Sequence, residues 1–256
     1  MEFLGFQFFN ASPEQAVVRL LQGMRERQSA KVYFINAHSV VLARSHSRFA
    51  RTLREADLIL GDGAGVLWGS RLHGRPLRHN LNGTDLVPLL CREASKREFS
   101  VYLYGGKPGV ALSAAKRLKG DFPRLRIVGT SHGFHPKQEE ARIVADIRRA
   151  APHLLLVAKG SPLQEFWIDD NKEDLCGVTC MGVGGLLDFL SGSVPRAPLP
   201  VRRVGMEWAW RMFVEPRRLW RRYLVGNPVY LYIVLKARRA ARRANVDGPE
   251  LPTRVS

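Results

Sequence analysis

Cysteine is scarce in this chain: Cys91, Cys176 and Cys180 are the only three in 256 residues. An odd and widely spaced set is no disulfide framework and suits a reducing compartment. The close pairs His132/His135 and Cys176/Cys180 each lack a second pair at zinc spacing, so no metal site is expected. No D-x-D occurs anywhere, which removes the carboxylate pair that would hold a metal-bound nucleotide. G-x-x-x-x-G-K-[ST] is also missing. In the nearest approach to G-x-G-x-x-G, Gly61-Asp62-Gly63, the third glycine comes one residue early, at Gly65, and Val66 stands where it belongs. P-loop and dinucleotide chemistry are therefore not expected, and no cofactor is implied. Long apolar runs are absent too. The C-terminal uncharged run Tyr223 to Leu235 is too short to span a bilayer and is broken by Gly226 and Pro228. The opening "MEFLGFQFFN" is short, acidic at Glu2 and broken by Gly5, so it does not read as a secretion signal, and a cytosolic face is expected.

Acid is the other shortage: 23 Asp and Glu stand against 40 Lys and Arg, a net charge of +17. The excess is local. From Arg196 to Arg243 thirteen Lys or Arg face only Glu207 and Glu215, so +11 of the +17 lies in less than a fifth of the chain. Such a block points to a polyanion, whether a phospholipid surface, a pyrophosphate or a nucleic acid; its plain alternative is a solvated basic face.

The rest of the chain has ordinary core-forming content, 45% hydrophobic, and a repeating order. Short β-branched or aromatic runs ("KVYFINA", "ADLILGDG", "SVYLYGG", "LRIVGTSHG", "PHLLLVAKG", "CGVTCMGVGG") each end in glycine or polar residues. Between them "SPEQAVVRLLQGMRER", "TDLVPLLCREASKRE", "KPGVALSAAKRLKGDF" and "PKQEEARIVADIRRAA" carry apolar residues at helical spacing, the first with Ser12 as its cap. Strand alternating with helix predicts an α/β fold: a Rossmann-like, mostly parallel sheet with helices on both faces over 1–195. A basic amphipathic helical appendage is expected over 196–243 and a disordered tail over 244–256.

In an open parallel sheet the ligand lies beyond the carboxyl ends of the strands, where helix N-termini offer free N–H groups. That rule singles out Asn36, Gly61-Asp62-Gly63, Gly105-Gly106-Lys107, Gly160-Ser161-Pro162 and Gly182 to Gly185. Asp62 has two readings: a helix N-cap, or a general base flanked by glycines that let another molecule approach. In "NLNGTDL", Thr84 or Asp85 could cap the next helix or face a ligand. Gln164 and Glu165, after Pro162, could be a plain helix start or part of a site.

Taken together and in order, "INAHSVVLAR", "ADLILGDGAGVLWGSRLHG", "NGTDL", "YLYGGKPGVA", "LRIVGTSHGF", "LLLVAKGSPLQEFWI", "MGVGGLLDFLSGSVPRAP" and "GMEWAWRMFVEPRRLWRRYLVGNP" resemble the WecG/TagA/CpsF family of bacterial glycosyltransferases, over about residues 30 to 230. The resemblance implies an inverting, metal-independent transfer of a sugar from a UDP-sugar donor to a polyprenyl-pyrophosphate-linked acceptor, on the inner face of the plasma membrane. It maps the family's general base onto Asp62, and it implies a pocket from Asn36, Gly61, Gly63, Thr84, Asp85, Gly105, Gly106, Lys107, Gln164, Glu165 and Gly184. Leu163 replaces the lysine of the family's "PKQE" element. Arg211, Arg218 and Arg221 match the arginines brought to the lipid pyrophosphate by the appendage. There Trp208, Trp210, Trp220, Tyr223, Tyr230 and Tyr232 interleave with arginines, as in a helix lying on a membrane rather than crossing it. Arginine with aromatics also suits nucleic acid, but that reading leaves the strand-end glycines unexplained, and no nucleic acid partner is expected. A membrane-bound scaffold that kept the fold and lost activity is the remaining alternative. A homo-oligomer, or a contact with a neighbouring enzyme of an exopolysaccharide pathway, is open to the appendage. The donor sugar is not readable from the residues.

Overall fold

The computed structural model describes residues 1–246, with the side chains of Arg218 and of 244–246 outside the description. The tail expected beyond 246 lies outside the described residues. The first two strands, β1 (Glu2–Phe3) and β2 (Phe6–Gln7), form a small antiparallel hairpin turned by Leu4 and Gly5, both at positive φ. The other six, β3 (Ala30–Ile35), β4 (Leu58–Gly61), β5 (Ser100–Gly105), β6 (Arg126–Ser131), β7 (Leu154–Ala158) and β8 (Thr179–Gly182), form one parallel sheet in the order β4-β3-β8-β7-β5-β6. Each strand coincides with one of the six apolar runs of the sequence, β3 starting one residue ahead of its run, at Ala30.

The inner strands are largely apolar because both faces of the sheet are covered, whereas the edge strand β6 leaves Arg126 exposed. Alternate residues point to opposite sides: Val32, Val101, Leu103, Leu154, Leu156 and Met181 join one core, whereas Tyr33, Ile35, Tyr102, Tyr104, Leu155 and Val157 join the other. The first core is closed by the helices Pro13–Arg25, Gly83–Lys96 and Val110–Asp121. Ser12 caps the first of these with a reciprocal bond to Gln15, as its sequence predicts. The second core is closed by Ala37–Ser45, Ser47–Arg54, Glu140–Ala150 and Leu163–Asp170. The last helix, Gly226–Val246, also contributes to it: Tyr230, Ile233 and Val234 are buried there and pack beside the helix Ala64–His73. The basic segment is thus part of the molecule's packing. It reaches that place through the short helices Leu199–Arg203, Glu207–Val214 and Pro216–Trp220 and one π turn, Arg221–Val225.

Candidate active site

Strands β3 and β4 pair in parallel with Ile35 opposite Gly61, so the residues that follow them, Asn36 and Asp62, emerge side by side. The Asp62 N–H donates to the Ile35 carbonyl at 2.9 Å, which fixes the chain at the strand end. Asn36 caps Ala37–Ser45, accepting from the Ser39 N–H at 3.1 Å, and its amide donates to Asp62 Oδ2 at 3.4 Å. Asp62 itself caps nothing. The next helix starts at Ala64, its N-cap is Gly63 at φ +89°, and no side chain bonds its first turn. The Gly63 N–H is instead taken by Asn80 Oδ1 at 2.8 Å. Of the two roles open to Asp62 in the sequence, capping is therefore unused, and the carboxylate faces a cavity.

That cavity, about 750 Å³, lies beyond the carboxyl ends of β3, β4, β7 and β8. Asn36, Asp62, Gly63, Thr84, Gln164 and Gly184 line its floor, and Arg211, Arg221, Arg222, Trp208 and Tyr230 of the appendage line its roof. Desolvation raises the pKa of Asp62 and prevails over the Asn36 hydrogen bond and the fields of Arg222 and Arg211, which pull it down. His38, also on the lining, is pushed down to about 4 by burial and by Arg222, so its imidazole is neutral at pH 7. Asp62 is thus a carboxyl group whose neutral form is favoured by burial, facing a roof of guanidinium groups.

Several residues expected at the pocket stand behind or away from it. Gly61 is buried, and its carbonyl accepts from the Leu81 N–H. Asp85 does not line the cavity: Asn82, the true cap of Gly83–Lys96, donates to it, and Arg196 meets it at 2.5 Å. Burial raises the Asp85 pKa, but the bonds from Asn82 and Arg196 outweigh that and hold the carboxyl below its usual range. Glu165 is 1% exposed beneath Gln164, whose amide donates to it at 2.9 Å while Gln164 Oε1 accepts from the Gly184 N–H at 2.8 Å. Burial raises the pKa of Glu165 despite the bonds from Ser161 and Gln164. The turn Gly105-Gly106-Lys107 lies at the end of β5, across β7 from β8, and none of its three residues lines the cavity. There Gly105 serves packing: a Cβ on it would sit 2.3 Å from the Ala158 carbonyl oxygen. Leu163 is exposed and also off the lining. The Arg218 side chain lies outside the described residues.

Asn80, Asn82, His38 and Arg222 were not singled out from the sequence. Asn82 was legible as a cap, since Asn with Asp three residues later before an apolar stretch is a helix-start signature. Arg222 had no such signal; only the wider π turn, on which Arg221 and Arg222 both reach the cavity, selects it.

A parallel sheet with a carboxylate at a strand end, under a roof of guanidinium groups, is an arrangement suited to group transfer on substrates that carry phosphate. The sequence model of the glycosyl transferase WecG/TagA/CpsF family matches residues 1–244, and the chain belongs to that family. Among curated relatives, a protein of Bacillus spizizenii is 37% identical over 207 residues, covering 80% of this chain and 79% of its own. A protein of Staphylococcus aureus is 26% identical over 246 residues, 95% of each chain. Both are named N-acetylglucosaminyldiphosphoundecaprenol N-acetyl-beta-D-mannosaminyltransferase.

Proposed function

We propose that this glycosyltransferase moves an N-acetylhexosamine-type sugar, N-acetylmannosamine by analogy with its relatives, from a UDP-sugar to a sugar carried on polyprenyl diphosphate. The observation that carries this is Asp62: an aspartate that caps nothing, held by Asn36 at the strand end and opening onto a cavity roofed by Arg211, Arg221 and Arg222. Asp62 takes the proton of the acceptor hydroxyl as its oxygen attacks the anomeric carbon. The bond from that carbon to the UDP oxygen breaks on the opposite face, so the configuration inverts. The charge left on the diphosphate is offset by the arginines. No metal is assigned a part, because the guanidiniums supply that charge; among the described residues no group of three or more His, Cys, Asp or Glu is placed to hold one. The donor side is expected to rest on Asn36, Thr84, Gln164 and the Gly184 turn.

Peripheral attachment to a membrane belongs to the same reading. No helix among the described residues is long and apolar enough to cross a bilayer. Large apolar side chains are nevertheless exposed along the appendage, with Phe213 at 80% and Tyr232 at 64%. With the arginines around them they suit the interfacial layer, where a lipid-linked acceptor presents its head group. The test is UDP release by the purified protein in detergent, with UDP-N-acetylmannosamine, a polyprenyl-diphosphate-linked N-acetylglucosamine acceptor and EDTA. Acceptor-dependent release that falls about 10²- to 10⁴-fold in Asp62→Asn is expected. Undiminished turnover in that variant removes Asp62 as base, and loss of turnover with EDTA in the wild type removes metal independence.

A further inference from the structure

A second cleft, about 530 Å³, lies between the end of Ala64–His73 and the last helix. Leu72 lines both this cleft and the strand-end cavity. Arg71 and Arg75 enter it from one side, and Arg238 and Arg242, one helical turn apart, from the other. None of the four is within ion-pair distance of a carboxylate among the described residues. Arg71 complements the carbonyl end of its own helix. That local role does not explain why two arginines of another helix converge on it. Like charges gathered without a counterion repel one another, and an anion between them removes that cost. His73, on the same wall, has a buried Nδ1 with no hydrogen-bond partner, and burial and Arg75 hold its imidazole below the usual pKa.

What lies beside the cleft indicates which anion. Along the last helix Leu231, Tyr232 and Leu235 are exposed, and the arginines begin one turn later, with Arg238. An apolar stretch followed by arginines is the order in which a helix at a bilayer meets acyl chains and then phosphates. We propose that Arg71, Arg75, Arg238 and Arg242 form a second phosphate site, distinct from the active site, that takes the phosphate of an anionic lipid head group. Arginine suits it because the planar guanidinium grips phosphate oxygens two at a time. Because two ligands come from the catalytic domain and two from the last helix, an occupied site clamps the appendage onto the helix that follows Asp62. The lipid source rests on the membrane reading above; the phosphate site itself does not.

The test compares three charge-matched double variants: R71Q/R75Q, R238Q/R242Q, and R239Q/R243Q, which removes two exposed arginines of the same helix that do not line the cleft. Binding to vesicles of phosphatidylcholine with 30% phosphatidylglycerol is measured by co-sedimentation, and the thermal midpoint is measured with and without inorganic phosphate at equal ionic strength. The site predicts roughly 30-fold weaker vesicle binding for each cleft pair, several times the loss in R239Q/R243Q. It also predicts a phosphate-induced rise in midpoint that both cleft pairs abolish. A midpoint rise lost in the cleft pairs, with no vesicle binding by the wild type, keeps the site, assigns it to free phosphate and refutes the membrane reading. Equal vesicle losses in all three pairs, with no phosphate effect on the midpoint, overturn the proposal in favour of diffuse surface charge.

Discussion

At Asp62 desolvation opposes three groups that favour the carboxylate, and the balance has consequences that can be read from outside. Because burial wins, the folded pKa is above the unfolded one, and ionised Asp62 costs stability above that folded value. Below the unfolded pKa the cost vanishes. Asp62→Asn is therefore expected to melt no lower than wild type at pH 7 while losing transfer, and a variant that melts well below it would be a folding defect instead. Arg222 acts in the opposite sense, since its charge pulls the Asp62 pKa down. In Arg222→Gln the acidic limb of the kcat profile should move to higher pH, by about one unit for a charge of this proximity inside protein. An unmoved limb would mean that Asp62 is not the titrating base. Both Asp62 and Asn36 were visible in the sequence because each stands at a strand end, and Asp62 is further marked by its two flanking glycines. Arg222 was not, because its position depends on how a π turn rotates the chain, and adjacent arginines give no period from which to choose one.

The strands and their common direction were legible because burial on both faces leaves short apolar runs, each bounded by glycine or a polar residue, most continuous in the inner strands. The hairpin of β1 and β2 was not, since two-residue strands leave no period to detect. The Gly105 turn has a packing reason of its own: a glycine at a strand end signals close backbone approach, and the Ala158 carbonyl approaches here. Gly69 carries a third meaning, helix against helix. It lies inside Ala64–His73, and a Cβ there would stand 2.1 Å from Tyr230 Oη and 2.9 Å from its Cζ. Tyr230 is buried but borders the cavity, so the clash is relieved only by a shift of its whole ring towards that space. Alanine in a helix gains up to about 1 kcal/mol over glycine; overpacking costs about 1–3 kcal/mol, so Gly69→Ala should be destabilising. The Tyr230 hydroxyl is itself buried without a hydrogen-bond partner. Tyr230→Phe alone should be near neutral, and in the double variant it should restore much of the loss, because it removes the nearest atom. Thermal denaturation of the four proteins in a double-mutant cycle measures that coupling, and additive effects would show that the two helices do not meet through this pair.

At the scale of the whole molecule, the site is complete only when the appendage lies over it, since the floor comes from the sheet and the roof from residues after 200. Two devices hold it there. One is the apolar packing of Tyr230, Ile233 and Val234 into the core. The other is Arg196, which donates to Thr84 Oγ1 at 3.0 Å, pairs with Asp85 at 2.5 Å and reaches Glu207 at 3.4 Å, tying the helix behind the cavity floor to the first part of the appendage. Half of the Asp85 side chain is exposed, at 54%, so screening reduces the value of this pair to about 1 kcal/mol. Asp85 has its pKa lowered by these bonds, so the tie is fully present above the unfolded carboxylate pKa and is lost as pH falls through the folded one. Asp85→Asn reproduces the acid state at neutral pH without acidifying the rest of the protein. Both Asp85→Asn and Arg196→Gln should therefore expose the segment 196–225 to trypsin about fivefold faster at pH 7, with the sheet still intact. Cleavage there at the wild-type rate in both variants would mean that the core packing of the last helix alone keeps the roof in place.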